Sequence, residues 1–302
     1  MKLGTIIAFK NETLGLAEGE QYRFLAEQGF DSIDFSIGHP VHSPLWQLSD
    51  EELKAKMLRE RKLVEDCGMM IGQTHSPFDY NLGCAWMKPE KREAFWKVQV
   101  QAIKATAYLG APYMVVHSLA VPGRFSEKRY EEAKRYNMEF YNYLKPYLEE
   151  YDVKIAIENT FTADHTIGRM DRDSCSTPEE MIDYIETLNS DRFVACLDTG
   201  HAMLCGVDPV DAIYKLGKKY LHVLHIHDNN LIKDEHMFPG GGKADWYRIG
   251  KALNDIGYED VFSFEISNPY FQKFPEIDGD MLPILHKMYV ELGRAITRVG
   301  IE

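Results

Sequence analysis

Phe193-Val194-Ala195-Cys196-Leu197-Asp198 sets five apolar residues in a row and closes them with a carboxylate. No polar residue alternates with the apolar ones, so the stretch does not read as a strand with one wet face. It reads as a strand covered on both faces, as in a parallel sheet beneath helices. Working outward, similar short and nearly continuous apolar runs recur at Leu3–Phe9, Phe30–Ile37, Met69–Thr74, Tyr113–His117, Val153–Glu158, Leu221–His227 and Val261–Ile266. Between the runs lie amphipathic stretches long enough for helices, among them Asp50–Asp66, Pro89–Leu109, Glu127–Glu150 and Thr177–Leu188. Thr177-Pro178-Glu179-Glu180 combines an N-cap, a first-turn proline and a capping-box glutamate, and Asp208-Pro209 opens another helix in a related way. Gly29, Gly68, Gly110 and Gly257 fall where a helix ends and the next strand begins.

Eight strands alternating with helices predict an α/β fold of the closed kind, a (β/α)8 TIM barrel, which needs roughly 250 residues. The 302 residues show no linker, low-complexity tract or short-period repeat, so residues 1–302 are expected to form one catalytic domain. An open doubly wound sheet is the runner-up; its usual dinucleotide-binding form is removed because no G-x-G-x-x-G follows the first run. The longest irregular stretches, Ile37–Ser49, Ser76–Lys88, Thr160–Ser176 and Asp228–Ala244, all follow strands, and in a barrel they gather at the C-terminal rim.

Composition narrows the function. A formal net charge of −13 disfavours nucleic-acid and anionic-lipid partners, which call for a basic footprint. Five cysteines, Cys67, Cys84, Cys175, Cys196 and Cys205, contain no C-x-x-C pair, so neither a disulfide framework nor a cysteine zinc site is expected. The opening MKLGTIIAFKNE has too short an apolar run for a signal peptide, and no stretch approaches about 18 apolar residues. A cytoplasmic protein without a membrane span is expected.

The chemistry gathers at the strand ends. The third run leads into His75 and the fourth ends in His117. The fifth ends in Glu158, and the sixth in Asp198 with His201 just beyond. The seventh carries His225, with His227 and Asp228 beside it, and the eighth carries Glu265; the loop after the seventh adds Asp234 and His236. A single strand-end histidine is most often a hydrogen-bonded rim residue. Three carboxylates converging on one rim are different, because each is costly to bury and they repel one another. Salt bridges would need lysine or arginine at the strand ends, where there is almost none, so divalent cations are the natural compensation. Mixed imidazole and carboxylate donors suit Mn²⁺, Zn²⁺, Co²⁺ or Fe²⁺ rather than Ca²⁺.

Thr74-His75-Ser76-Pro77-Phe78, Val116-His117-Ser118, Ile157-Glu158-Asn159, Leu197-Asp198-Thr199-Gly200-His201, His225-Ile226-His227-Asp228 and Phe264-Glu265, in this order, span nearly the whole chain. With them the sequence resembles the xylose-isomerase-like barrel superfamily, which holds sugar and sugar-phosphate isomerases and epimerases together with the endonuclease IV class of DNA-repair enzymes. The resemblance to the epimerases implies one metal held by Glu158, Asp198, His225 and Glu265. The resemblance to the endonuclease IV class implies a longer, zinc-binding list that adds His75, His117, His201, Asp234 and His236. The absence of lysine and arginine from 37–49 and 76–85 favours a carbohydrate over a DNA backbone. Ketohexose 3-epimerases carry an arginine soon after each of the ligands matching Glu158 and His225, but Asn159-Thr160-Phe161-Thr162 after Glu158 and Asp228-Asn229-Asn230-Leu231 after His225 contain none, which leaves phosphorylated sugars, inositol-type ketones, sugar acids and keto-glycosides as substrates. Homo-oligomers are expected from the resemblance alone.

The expected activity is a metal-dependent isomerisation or epimerisation by proton transfer through an enediolate. Glu158 and Glu265 exchange the proton, and His201 contacts a substrate hydroxyl or supports the ligands. His227 and Asp228 orient His225 or contact substrate. The alternatives are a lyase or dehydratase on a keto-sugar or keto-glycoside, and an endonuclease IV-like zinc phosphodiesterase. The rim aromatics Phe78, Trp86, Phe161, Phe238 and Trp246 are candidate pocket walls, with Trp246 expected merely to pack at a helix start. Gly240-Gly241-Gly242-Lys243 is a candidate phosphate loop.

Overall fold

The computed structural model describes residues 1–7, 11–37, 43–78, 88–120, 125–164, 169–266 and 275–301. Eight parallel strands form one sheet: β1 (Lys2–Thr5), β2 (Ser32–Ser36), β3 (Met70–His75), β4 (Tyr113–His117), β5 (Lys154–Glu158), β8 (Phe193–Asp198), β9 (Leu221–His225) and β10 (Val261–Phe264). β10 pairs with β1, with Lys2 opposite Val261 and Thr5 opposite Phe264. The last seam, β9 to β10, is made at the C-terminal ends: Ile226 N donates to Ser263 O (2.8 Å) and Glu265 N donates to Ile226 O (3.0 Å). That seam closes the barrel and sets His225 and Glu265 side by side.

Each of the eight expected runs contains a strand. The helices α1 (Glu20–Gln28), α2 (Asp50–Glu65), α3 (Pro89–Leu109), α4 (Glu127–Tyr151), α5 (Pro178–Leu188), α6 (Thr199–Leu204), α7 (Pro209–Tyr220), α8 (Trp246–Asp255) and α9 (Pro275–Thr297) surround them. The Thr177 capping box forms as read: its hydroxyl accepts from Glu180 N, and Glu180 Oε2 accepts from Thr177 N (3.0 Å). Gly29 and Gly110 cap α1 and α3 with φ of 105° and 75°, backbone that a side chain would strain. Among the described residues no helix is long and apolar enough to cross a membrane.

The stretch 160–176, expected to be irregular, instead contains an antiparallel hairpin of β6 (Phe161–Asp164) and β7 (Arg169–Arg172). Tertiary packing organises it where the local pattern gave no strand signal: Arg172 ion-pairs with Glu180 of α5 and lies over the Phe125 ring.

Strand parity aims the site. In β5, Ile155 and Ile157 join the layer beneath the helices, while Ala156 points into the lumen with Val115, Val194, Cys196 and Val223. Successive residues alternate faces, so the position two beyond each lumen residue also faces inward. These positions are His117 after Val115, Glu158 after Ala156, Asp198 after Cys196 and His225 after Val223. The lumen is plugged by small apolar residues below and lined by ligand-type side chains above.

Candidate metal centre

Register sets the neighbours: His117 lies opposite Glu158, and Asp198 lies opposite His225. Glu158, Asp198, His225 and Glu265 each present a donor atom, and these atoms all lie within 4.8 Å of one another. Glu158 is the hub. Its Oε1 lies 3.1 Å from His225 Nδ1 and 3.4 Å from His201 Nδ1, and its Oε2 lies 2.9 Å from His117 Nε2 and 3.4 Å from His75 Nε2. Burial opposes its ionisation, but His225 and His117 hold its pKa well below the usual carboxylate range. Glu265 Oε2 lies 3.2 Å from His225 Nδ1.

Asp198 is both a rim carboxylate and the N-cap of α6. It accepts from His201 N (2.6 Å) and faces His227 Nε2 at 2.9 Å. Asn159, directly after Glu158, accepts from Asp198 N (2.7 Å) and donates to Asp198 O (2.9 Å), carrying the sheet's pairing one step past β5. His201 turns Nδ1 to the Asn159 carbonyl (3.0 Å), which leaves Nε2 toward Asp234 (3.6 Å). Burial disfavours its proton, yet Asp198, Asp234 and Glu158 lift its pKa to about 10.

A second group comprises His201, His227, Asp234 and His236, and a third comprises His75, His117 and Glu158. Asp234 Oδ2 sits 2.9 Å from His236 Nε2, and His236 Nδ1 is 2.8 Å from the Glu265 carbonyl. Burial again opposes protonation of His236, and Asp234 with Glu265 raises its pKa to about 9. Its backbone is left-handed at φ 45°, a strain tolerated where geometry matters. His227 stacks on His236 with centroids 4.1 Å apart, and Gly200 makes room for it: a Cβ there would stand 2.0 Å from His227 Cε1.

Among the described residues, buried Glu158 Oε2, Asp234 Oδ1, Glu265 Oε2 and His227 Nδ1 make no well-formed hydrogen bond, and the two glutamate oxygens have the imidazole contacts given above. Each such atom costs about 1–3 kcal/mol when left uncompensated, and more when it is charged. Three of the four are carboxylate oxygens inside the ligand groups, so the residues present fit one or more divalent cations.

Two expected roles fall elsewhere. Asp228 belongs to none of the ligand groups. Its Oδ1 accepts from the backbone of Asn229, Lys243 and Ala244, and its Oδ2 accepts from Gly240 N and Trp246 Nε1. Two loop amides that could have cradled a phosphate, those of Gly240 and Lys243, are therefore turned on a carboxylate of this chain, the Gly241 amide donates to the Phe238 carbonyl, and Trp246 does more than pack. His227 supports Asp198 rather than His225. The partner of His225 is Asp34 in β2, a residue not expected from the sequence, whose Oδ2 lies 3.0 Å from His225 Nε2. The signal was present in Ile33-Asp34-Phe35, a lone carboxylate inside an apolar run.

Beside the ligands opens a cavity of about 440 Å³. Asp34, His75, Glu265, Phe35 and Phe78 line it, and Phe78 stacks on His117 with centroids 4.3 Å apart. Phe161 of the hairpin packs edge-on to His201 at 4.9 Å. Phe238 stacks on Tyr289 of α9 and is not among the described residues that line the cavity, and Trp86 lies outside the described residues.

A closed parallel barrel with a ring of His, Asp and Glu at its C-terminal mouth defines the class. The profile of the xylose isomerase-like TIM-barrel family matches residues 22–281, and the chain belongs to that family. The inosose isomerase of Bacillus subtilis is 26% identical over 171 residues, 55% of this chain and 57% of its own. The probable endonuclease 4 of Mesomycoplasma hyopneumoniae is 28% identical over 211 residues, 67% of each chain. Among solved structures, a D-tagatose 3-epimerase-like protein superposes with a TM-score of 0.69 at 24% identity, covering 98% of this chain and 99% of that one. The IolI protein, solved with a bound zinc atom, gives a TM-score of 0.69 at 18% identity, covering 99% and 97%. At these identities the structural likeness is one of fold.

Proposed function

We propose that this protein is a divalent-metal-dependent isomerase or epimerase of keto-sugars. The observation that carries the reading is the convergence of Glu158, Asp198, His225 and Glu265 on the wall of a sugar-sized cavity. A cation held by these four would supply Lewis-acid stabilisation of the negative charge that develops on the substrate oxygens. Glu265, 18% exposed and lining the cavity, is placed to take the proton α to the substrate carbonyl. Glu158, 1% exposed and hemmed by imidazoles, returns a proton from the other side or to the neighbouring carbon, its protonation relayed by His117 or His201. Phe78 and Phe161 exclude water from the reacting face. Because Asp228 occupies the amides of Gly240 and Lys243, an unphosphorylated substrate fits this mouth better than a sugar phosphate.

The test is exchange of solvent deuterium into a panel of ketohexoses, inososes and keto-glycosides by protein reconstituted with Mn²⁺, Co²⁺ or Zn²⁺. Incorporation at a carbon α to the carbonyl, lost in Glu158→Gln and Glu265→Gln with the fold intact, is the expected result. Elimination product in place of exchanged sugar would move the reading to a lyase.

A second reading, phosphodiester hydrolysis, is favoured by one observation: the second and third ligand groups give the site room for more than one cation. It predicts two or three zinc ions per chain and cleavage of abasic-site DNA. One ion per chain with no cleavage removes it.

A further inference from the structure

We propose that Asp34 is a positioning residue that decides which nitrogen of His225 faces the ligand ring, an inference that rests on the metal-site reading above. His225 directs Nδ1 at Glu158 Oε1 (3.1 Å) and Glu265 Oε2 (3.2 Å). A ring nitrogen can donate its lone pair to a cation only when it carries no proton, so the ring proton must sit on Nε2. Nε2 lies 3.0 Å from Asp34 Oδ2, an oxygen that only accepts when the carboxyl is ionised. The contact therefore selects the tautomer with Nδ1 bare.

The bond is long-range in every sense. β2 and β9 are not neighbours in the sheet, so Asp34 and His225 meet across the lumen rather than through strand pairing. Gln73 of β3 donates Nε2 to the same Asp34 oxygen (2.8 Å), so two donors from two different strands fix the carboxylate rotamer. Asp34 and His225 are 2% and 0% exposed, so little solvent reaches the contact. Asp34 Oδ1, by contrast, is buried with no hydrogen-bond partner among the described residues. A carboxylate kept between Ile33 and Phe35 with one oxygen unsatisfied does nothing for packing that a valine would not do better. Its return is the orientation of His225, which a carboxylate achieves by fixing the ring and strengthening its basicity.

The experiment titrates Co²⁺ alone into metal-free full-length protein and follows the visible absorption of the bound ion, in the wild type, Asp34→Ala, Asp34→Asn and Gln73→Met. Asp34→Ala is expected to weaken Co²⁺ binding about 10–100-fold with unchanged stoichiometry. Asp34→Asn keeps a neutral acceptor for Nε2–H and falls between, and Gln73→Met, which leaves the Asp34 contact in place, loses least. On the Zn²⁺-loaded wild type, ¹⁵N-resolved NMR shows His225 protonated at Nε2; that proton resonance shifts in Asp34→Asn, a change that a purely structural role would not produce. Thermal melts of the metal-free proteins separate folding from binding, and if Asp34→Ala does not fold, Asp34→Asn carries the test. Equal affinities in all the folded variants, or a wild-type His225 protonated at Nδ1, overturn the proposal while leaving the metal reading intact. A wild type that binds no Co²⁺ overturns both.

Discussion

Asp228→Asn separates a ligand from a scaffold. In the native site Oδ1 accepts three backbone N–H groups at 2.8–3.0 Å, and Oδ2 accepts Gly240 N at 3.1 Å and Trp246 Nε1 at 2.9 Å. An asparagine keeps its carbonyl where the three donors converge and so places its NH₂ against the other two. Two charge-assisted hydrogen bonds become donor–donor contacts, each worth about 1.5–3 kcal/mol, and the Gly240 bond is discounted because it is only partly buried. The expected loss is about 3–5 kcal/mol, a large share of the 5–15 kcal/mol that typically holds a domain. Trp246→Phe removes one donor and leaves Oδ2 with the other, so it should cost about 1–2 kcal/mol. Urea denaturation followed by tryptophan fluorescence and by far-UV circular dichroism gives both numbers. A variant within about 1 kcal/mol of wild type that has nonetheless lost bound metal would refute the reasoning, because it would make Asp228 a ligand and not the peg on which the loop of Asp234 and His236 hangs.

Gly200→Ala drives a methyl into the His227 ring, 2.0 Å from Cε1, and should cost at least about 1–3 kcal/mol while depleting metal from the second ligand group; a normal melting temperature and metal content would contradict it. His236→Ala removes a donor from the second group and none from the Glu158–Asp198–His225–Glu265 set, so elemental analysis should find at most one ion fewer per chain, and any solvent-deuterium exchange into keto-sugars should be unchanged. Glu158→Gln removes the hub shared by two ligand groups and should lower turnover by at least about 10²-fold; steady-state kinetics showing full activity would eliminate the two-carboxylate scheme. His286 is buried on α9 against Phe24 and Phe30, and burial holds its pKa below the ordinary 6.5. The unfolded chain then binds a proton that the fold refuses, so the stability present above pH 6.5 declines as the pH falls below it, by at most about 1.4 kcal/mol per pH unit. His286→Gln should flatten that part of a denaturation series from pH 8 to 5, and an unchanged slope would assign the acid sensitivity to other groups.

Much of the barrel was legible because its strands announce themselves twice, by continuous apolar character and by the cap signals that separate them. Parity did the rest for the site. Once Ala156 and Cys196 face the lumen, Glu158 and Asp198 must face it too, and the register then brings His225 beside Asp198 without any further information. The hairpin 161–172 escaped this reading because it is held by contacts remote in sequence, such as Arg172 with Glu180, and by no periodicity of its own. The hydrogen bonds of Asp228 were hidden for a related reason. Composition places an aspartate next to two histidines, but only the folded loop shows five donors already turned on it.

Asp34 obeys the same rule as the rim carboxylates, and Ile33-Asp34-Phe35 already carries its signal. A carboxylate that closes an apolar strand and one that interrupts an apolar strand face the same desolvation penalty, and both require a partner. Position distinguishes what the partner can be. At the strand end the partner is an ion or a substrate at the mouth; one residue pair deeper it has to be a donor from the opposite wall. In this chain that wall supplies His225 Nε2 and β3 supplies Gln73. The mid-strand acid and the rim histidine are thus one unit, and the lumen carries the geometry of the site down from the mouth into the part of the barrel that the loops do not reach.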